Sequence, residues 1–340
     1  MEKLKVAVIG CGSIAKHRHL GEYAANKHVE ITAVCDIVED RVKQVADEYA
    51  ATAYTNYKAL LEKEDVDIVS VCLPNYLHAP VSIAALEANA HVLCEKPMAT
   101  SREEAEAMIK AAEASGKKLM IAHNQRFVSS HQKARDFIAS GEAGKIYSFR
   151  TTFGHGGPET WSAEGTNSWF FDKEKAFIGA MGDLGVHKTD LLRYVLGEEF
   201  TEVAAFVETS AKENTTVDDN ATLILKSESG IIGTLAASWA YTAEDNSTII
   251  YGEKATLRLE DDPVDNLVIQ YKTGEVAKFE LEAIQSNEDG GQSSTGVINH
   301  FIEAIRNDTN PLIDGVEGMK SLEVILGALE SVEKKTIQKL

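Results

Sequence analysis

The sequence predicts an α/β protein with two domains: a doubly wound parallel sheet, then an α+β domain with an open, mostly antiparallel sheet. Two observations carry this prediction. Through residue 123, short apolar runs alternate with helical stretches, as in parallel strands joined by crossover helices. From residue 202 to 281, strand-like runs follow one another with only polar turns between them. We predict domains at residues 1–123 and 124–340, with the C-terminal helices packing back.

Local patterns justify each element of the first domain. Its strands are apolar on consecutive residues, as expected of strands covered on both faces. Ser101 and Glu104 form a capping box, and Pro80 suits the first turn of a helix. The predicted strands are 6–9, 30–35, a short one at Tyr54, 67–73, 91–94 and 118–123, and the predicted helices are 40–49, 57–63, 80–86 and 101–115.

The second domain reads as strands with few helices. Residues 154–171 are rich in Gly, Pro and Trp and are predicted to form a long functional loop. Helices are predicted at 129–140, 182–196, 297–306 and 316–334, and strands at 145–153, 202–209, 221–225, 231–238, 248–251, 256–259, 267–271 and 276–281.

The charge balance excludes some partners. The 340 residues include 34 Lys and Arg against 53 Asp and Glu, so the net charge is −19. Such an acidic chain is not expected to bind nucleic acid or an anionic membrane. We expect no transmembrane helix or signal peptide, and a cytoplasmic protein. Its cysteines are predicted to be buried, reduced thiols: Cys11, Cys35, Cys72 and Cys94.

A glycine-rich turn follows the first strand and fits the pattern G-x-G-x-x-G/A. Gly10 permits the tight turn, Gly12 lets a pyrophosphate approach the backbone, and Ala15 lets the next helix pack closely on the strand. The helix N-terminus, which includes Ser13 and Ile14, then offers N–H groups to the phosphates. Alone, this pattern also fits an ordinary glycine turn.

Asp36 makes the dinucleotide prediction specific. It ends the second predicted strand, about 20 residues after the glycine turn, where a carboxylate binds the adenosine ribose hydroxyls of NAD and repels a 2′-phosphate. The sequence therefore favours NAD as cofactor. Arg41, just beyond, is able to reach toward a phosphate, so NADP stays open.

Several polar residues fall at the carboxyl ends of predicted strands, where ligands of such sheets collect. Lys96 lies between Glu95, which is able to hold it, and Pro97, which favours an extended or turn conformation and a cis bond. A lysine there would point over the nicotinamide end of the cleft; the alternative is a solvated loop lysine. The other residues at strand ends are Asn75, His78 and His123.

A second constellation lies on the helix predicted at 182–196. Asp183, His187 and Asp190 are spaced four and three apart and would share a helix face. An imidazole takes a proton near neutral pH, and a neighbouring carboxylate orients it. The alternatives are an exposed or core histidine with Asp183 as a helix cap, and a metal site. Because the sequence offers no obvious fourth ligand, we predict no metal.

Taken together, these pieces resemble the family of glucose–fructose oxidoreductase, inositol dehydrogenase and rhizopine catabolism protein, from Val6 to the C-terminal helix. The motifs are Gly10–Ala15, Asp36, Pro74-Asn75 with His78, Glu95-Lys96-Pro97, Asn124-Gln-Arg126-Phe127, and Asp183 with His187 and Asp190. The resemblance implies a Rossmann domain, an open sheet that forms a homodimer or homotetramer, and hydride transfer between NAD(P) and a secondary alcohol of a sugar or cyclitol.

The resemblance also implies residue roles. His187 is expected to be the general base supported by Asp183, and Lys96 to lie beside nicotinamide and substrate and stabilise the substrate oxygen. The predicted cofactor-binding residues are Gly10, Gly12, Ser13, Ile14, Asp36, Leu73, Pro74, Asn75, His78, Glu95, Lys96 and Arg126. The predicted substrate-binding residues are Lys96, Arg126, Trp161, Asp183 and His187.

One departure from the family concerns the segment before the second motif. Many relatives have a run of glycines where this chain has Phe177–Gly182, so no relative's substrate is carried over. Trp161, Trp169, Phe170 and Phe171 are predicted to stack on a sugar or to anchor the loop or a subunit contact. Alternative functions are an NAD-assisted glycosidase, which oxidises, eliminates and restores the hydroxyl, and a non-catalytic NAD(H) sensor.

Overall fold

A computed structural model describes residues 2–281 and 295–340 of the chain. These residues fall into two compact units. One comprises the described residues within 1–123, 161–169 and 285–319, and the other those within 124–160, 170–284 and 320–340. The stretches 161–169 and 295–319, which the sequence analysis assigned to the second domain, therefore belong to the first unit.

The first unit contains a six-stranded parallel sheet in the order β3-β2-β1-β4-β5-β6. Connections leave β1 in opposite directions, so the carboxyl ends of β1 and β4 form the switch point where ligands of such sheets bind. The strands are β1 Leu4–Ile9, β2 Val29–Cys35, β3 Thr52–Tyr54, β4 Ile68–Val71, β5 His91–Cys94 and β6 Leu119–Ile121, and the helices are α1 Leu20–Ala25, α2 Glu39–Tyr49, α3 Tyr57–Lys63, α4 His78–Glu87 and α5 Arg102–Ser115.

The predicted parallel sheet is confirmed, and burial explains its apolar runs. Val6 to Ile9 and all four residues of β4 are buried, because helices cover both faces of the sheet. Ser101 caps α5 by accepting the Glu104 N–H at 3.2 Å, as the capping pattern predicts. No helix among the described residues is long and apolar enough to cross a membrane.

The second unit contains a nine-stranded sheet in the order β14-β13-β12-β11-β7-β10-β9-β8-β15. Only the β7–β10 pair is parallel, so the predicted mostly antiparallel sheet is confirmed. The strands are β7 Ile146–Gly154, β8 Phe200–Glu208, β9 Asn220–Ser227, β10 Ile232–Ser238, β11 Thr248–Gly252, β12 Ala255–Leu259, β13 Leu267–Tyr271, β14 Val276–Phe279 and β15 Gln338–Lys339.

The α-helices in the described residues from 124 onward match the predictions with two differences. A short helix, Lys173–Ala176, was not predicted, and the helix predicted at 182–196 begins with a π-helical turn, Met181–Gly185, before it becomes α-helical. Single π turns of this kind often occur at functional sites. The helices are α6 Ser129–Ala139, α7 Lys173–Ala176, α8 Val186–Leu196, α9 Val297–Arg306 and α10 Gly315–Lys334.

Candidate active site

The glycine turn after β1 has the geometry that a dinucleotide needs. Gly10 has φ +97°, and a Cβ there would overlap the carbonyl of Cys72, so only glycine fits. Around Gly12, in contrast, a Cβ would have no atom within 4 Å, so the backbone is open to an approaching phosphate. Ala15 is fully buried where the following helix packs on the sheet. Ser13 and Ile14 are half-buried in the first turn of that helix.

Asp36 lies at the carboxyl end of β2, beside this turn. Its Oδ2 accepts the Cys11 N–H at 2.9 Å and its Oδ1 accepts the Val38 N–H at 2.8 Å. These two backbone donors orient the carboxylate and leave lone pairs on both oxygens for hydroxyl groups. The residues present therefore fit the pyrophosphate and the adenosine ribose of NAD, and their binding of these groups stays a prediction.

His78 is directed at the backbone of two neighbouring loops. Its Nδ1 lies 2.7 Å from the Pro97 carbonyl and its Nε2 lies 2.7 Å from the Leu73 carbonyl, and the ring is buried. Burial lowers the pKa of His78, although both carbonyls favour the charged ring. His78 thus ties the loop after β4 to the Lys96–Pro97 loop. A direct contact of His78 with the cofactor stays a prediction.

The other predicted residues of the β4 loop surround His78. Leu73 and Pro74 are half-buried, and Asn75 is buried at the start of a 3-10 turn, Asn75–Leu77. They lie at the switch point of the sheet, where a nicotinamide site is expected. His123, at the end of β6, is also buried.

Lys96 is half-buried just beyond β5, and its peptide bond to Pro97 is cis. The Lys96 N–H donates to Oε2 of Glu95 at 3.3 Å, and the predicted role of Glu95 in holding the Lys96 side chain stays a prediction. The main partner of Glu95, however, is His19, whose Nε2 lies 2.9 Å from Oε1. Burial raises the pKa of Glu95, but His19, Lys96 and Arg18 outweigh it and lower that pKa below its ordinary value.

His19 is a residue that the sequence analysis missed. Its Nδ1 lies 2.7 Å from Oγ of Ser70, which also accepts the Tyr23 hydroxyl at 3.3 Å. Glu95 is therefore the end of a buried polar chain that reaches into the sheet. The sequence does show a histidine in the helix that follows the glycine pattern. No spacing rule, however, links a histidine at that position to Glu95.

In the second unit, the π-helical turn and α8 hold the predicted base. Among residues 181–193, His187 is the only side chain that is not buried, while Asp183 is buried one turn before it. The ring of Phe153, at the end of β7, lies 5.9 Å from the His187 ring. The sequence gives no signal for Phe153, because apolar residues are common at the ends of strands. His187 is thus half-buried, and its role as general base stays a prediction.

Asp218 holds residues 177–182 in place, the segment where many relatives have a run of glycines. Its carboxylate accepts the Gly179 N–H and the Met181 N–H, both at 2.8 Å, and its carbonyl accepts the Ala180 N–H at 3.0 Å. A Cβ on Gly179 would overlap that carbonyl, so glycine is required at this position. Asp218 therefore caps the turn that carries Asp183.

Arg126 and Asp190 form a buried ion pair within this unit. Nε and Nη2 of Arg126 donate to the two carboxylate oxygens of Asp190 at 2.8 and 2.7 Å. Ser321 donates to Asp190 at 3.0 Å, and the Arg126 guanidinium lies 5.4 Å from the centre of the Tyr194 ring. Asp190 is thus directed into the interior rather than to an exposed face shared with His187. Binding of cofactor or substrate by Arg126 stays a prediction.

The aromatic residues of the 154–171 loop make different contacts. Phe170 and Phe171 pack edge-on against the buried Trp239, at 6.2 and 5.9 Å between ring centres, so they anchor the loop. The carbonyl of Trp161 accepts the Ser13 hydroxyl at 2.9 Å, in the first unit. Stacking of Trp161 or Trp169 on a sugar stays a prediction.

The doubly wound sheet, the glycine turn and Asp36 define a dinucleotide-binding α/β protein. Residues 4–123 match the model of an oxidoreductase family with an NAD-binding Rossmann fold, and residues 131–258 match the GFO/IDH/MocA C-terminal domain. The chain belongs to the GFO/IDH/MocA family of oxidoreductases, as the sequence motifs predicted.

Individual relatives agree with this assignment. Levoglucosan dehydrogenase from Pseudarthrobacter phenanthrenivorans is 34% identical over 62% of this chain and 55% of its own length. D-glucoside 3-dehydrogenase from Escherichia coli K12 is 34% identical over 57% of this chain and 54% of its own. The chain thus spans about half the length of these curated relatives.

A solved structure resembles the whole chain. The WlbA dehydrogenase from Chromobacterium violaceum, in complex with NADH and UDP-GlcNAcA, is 26% identical and superimposes with a TM-score of 0.84. The match covers 100% of this chain and 96% of that one.

Proposed function

We propose that the protein is an NAD-dependent dehydrogenase that transfers a hydride between nicotinamide and a secondary alcohol or ketone of a sugar or cyclitol. The observation that carries the proposal is His187, the one accessible side chain in an otherwise buried run behind Asp183. The names of the relatives, a levoglucosan dehydrogenase and a D-glucoside 3-dehydrogenase, support a sugar as substrate.

Each proposed role follows from the chemistry of a side chain. His187 takes the proton of the substrate hydroxyl, and Asp183 favours the charged imidazolium that results. The ammonium group of Lys96 stabilises the negative charge that develops on the substrate oxygen. Nicotinamide supplies the hydride acceptor, so the proton and the hydride leave the alcohol for different groups. The reverse steps reduce a ketone.

The test is NADH formation, followed by its near-ultraviolet absorbance, with NAD or NADP and a panel of inositols, aldoses, glycosides and aminosugars. We expect one class of ring polyol to reduce NAD. His187→Ala and Lys96→Ala should each lower kcat by about 10²–10⁴-fold while NADH binding persists. His28→Ala, which removes a half-buried histidine of the first unit, is the matched control and should keep full activity.

Two outcomes would replace the dehydrogenase proposal. Cleavage of an aryl glycoside without net NADH would point to the oxidation–elimination mechanism of an NAD-assisted glycosidase. Tight NAD(H) binding with no turnover of any polyol or glycoside would point to a sensor. Full turnover by Lys96→Ala would remove Lys96 from the mechanism.

The proposal also includes a cytoplasmic homo-oligomer, a dimer or a tetramer. One face of the nine-stranded sheet exposes large apolar side chains that the strand registers place together, namely Phe206, Ile224, Ile232 and Tyr251. Such a patch is typical of an interface. Light scattering should give a multiple of 37.0 kDa, and a monomeric mass would contradict it. The four cysteines are buried thiols, which supports a reducing compartment.

A further inference from the structure

Residues Trp161–Trp169, which we call the clasp, belong by their contacts to the dinucleotide-binding unit. Three backbone hydrogen bonds of 3.1 Å fold the clasp on itself: Gly165 N–H to Ser162, Asn167 N–H to Glu164, and Ser168 N–H to Gly165. A segment with its own internal bonds holds its side chains in a defined place. The clasp is therefore a built part of this unit.

The clasp reaches the candidate cofactor site at two points. At the glycine turn, the Ser13 hydroxyl donates to the Trp161 carbonyl at 2.9 Å. Beyond the end of β2, in the first turn of α2, Nη2 of Arg41 donates to Oε1 of Glu164 at 2.7 Å. These two points correspond to the phosphate end and the ribose end of the predicted adenosine site.

Arg41 lies between two carboxylates. Its Nη1 is 3.4 Å from Oδ2 of Asp36, and its Nη2 makes the shorter bond to Glu164. The exposed fractions of the three side chains are 21% for Arg41, 7% for Asp36 and 35% for Glu164. A charge-assisted bond of this length, on partly buried groups, directs the guanidinium toward the clasp.

This arrangement concerns Arg41, the residue because of which NADP stayed possible as the cofactor. A 2′-phosphate needs a nearby cation and is repelled by Asp36. We propose that Glu164 is a specificity-determining residue: by binding Arg41, it withholds the guanidinium from a 2′-phosphate and adds a second negative charge near the ribose, so that the site selects NAD over NADP. This inference rests on the proposed NAD-dependent function.

The test measures binding rather than turnover. Dissociation constants for NADH and NADPH are obtained from nucleotide fluorescence on the full-length chain at fixed ionic strength, and a thermal melt checks that each variant is folded. In Glu164→Gln, the ratio of the NADPH to the NADH dissociation constant should fall by about tenfold, mainly through tighter NADPH binding. The salt dependence of NADPH binding should also become steeper.

Two further variants isolate the mechanism. Glu39→Gln removes a carboxylate from the same helix as Arg41, but its partner is Lys43 at 2.6 Å, so the ratio should change little. In Arg41→Ala/Glu164→Gln, the gain in NADPH affinity should disappear, because no guanidinium is left to release.

The possible outcomes separate the two proposals. An unchanged ratio in Glu164→Gln, or a gain that persists without Arg41, overturns the role of Glu164 while the NAD-dependent function stands. Failure of the unaltered protein to bind either nucleotide would instead overturn the proposed function itself.

Discussion

Arg126→Leu tests how the second unit holds the helix that carries His187. The substitution removes the two hydrogen bonds, at 2.8 and 2.7 Å, that balance the buried carboxylate of Asp190. Breaking one side of a buried ion pair costs about 3–5 kcal/mol. Ser321 at 3.0 Å and Arg193 at 3.7 Å still face Asp190, so we expect the lower end, about 3 kcal/mol.

The measurement is the free energy of unfolding in urea, followed by far-ultraviolet circular dichroism. Arg135→Leu is the matched control, because the Arg135 guanidinium also lies over the Tyr194 ring, at 4.9 Å, but is exposed. Its loss should cost only about 0.5–1 kcal/mol. Arg126→Leu/Asp190→Leu should regain part of the lost stability, since no buried charge is left.

From the sequence, Arg126 is expected to bind cofactor and substrate instead, and the same variant separates these two roles. A loss of stability below about 1 kcal/mol together with weaker NADH binding would refute the ion-pair reasoning and favour a ligand contact. A large loss of stability with NADH affinity retained would support the reasoning.

Three further predictions concern Glu260, which is half-buried, and the buried cysteines and Asp218. Burial raises the pKa of Glu260, but His131 and Lys188 lower it from 4.5 to about 2. Glu260→Gln should therefore cost roughly 3 kcal/mol of unfolding free energy near neutral pH, a difference that should shrink as the pH falls from about 5 toward 2; a constant difference would contradict this. The four cysteine thiols are buried and have raised pKa values, so in mass spectrometry iodoacetamide should modify them in urea but not in the native protein. Asp218→Ala should lower kcat by about tenfold or more while NADH affinity is kept, because the turn that carries Asp183 loses its cap; equal loss of affinity would argue against a local effect.

Local patterns were sufficient for the parallel sheet and the dinucleotide turn. Gly10 has a positive φ in its own tight turn, Ala15 follows five residues later, and Asp36 lies at the end of the next strand. The alternation of strands with helices up to residue 123, and the succession of strands without long helices from residue 202 to 281, likewise predicted the change from a parallel to a mostly antiparallel sheet. These features depend on short-range sterics and on strand burial, which a single sequence records directly.

Contacts between distant residues were not predictable in the same way. Arg126 meets Asp190 across 64 positions, and His19 meets Glu95 across 76. No spacing rule links such pairs, because tertiary packing alone decides which buried charge each side chain faces. The π-helical turn at Met181–Gly185 is a similar case, since an α-helical periodicity was read there from sequence.

The sequence by itself therefore determined the class of fold, the dinucleotide turn with its acidic partner, and the identity of the candidate base, His187. Only the tertiary structure decided that Asp190 is an interior ion pair, that Asp218 caps the motif turn, and that Glu164 reaches Arg41. The physical reason is that periodicity and turn chemistry act over a few residues. Buried polar groups, in contrast, must find partners wherever the fold brings them.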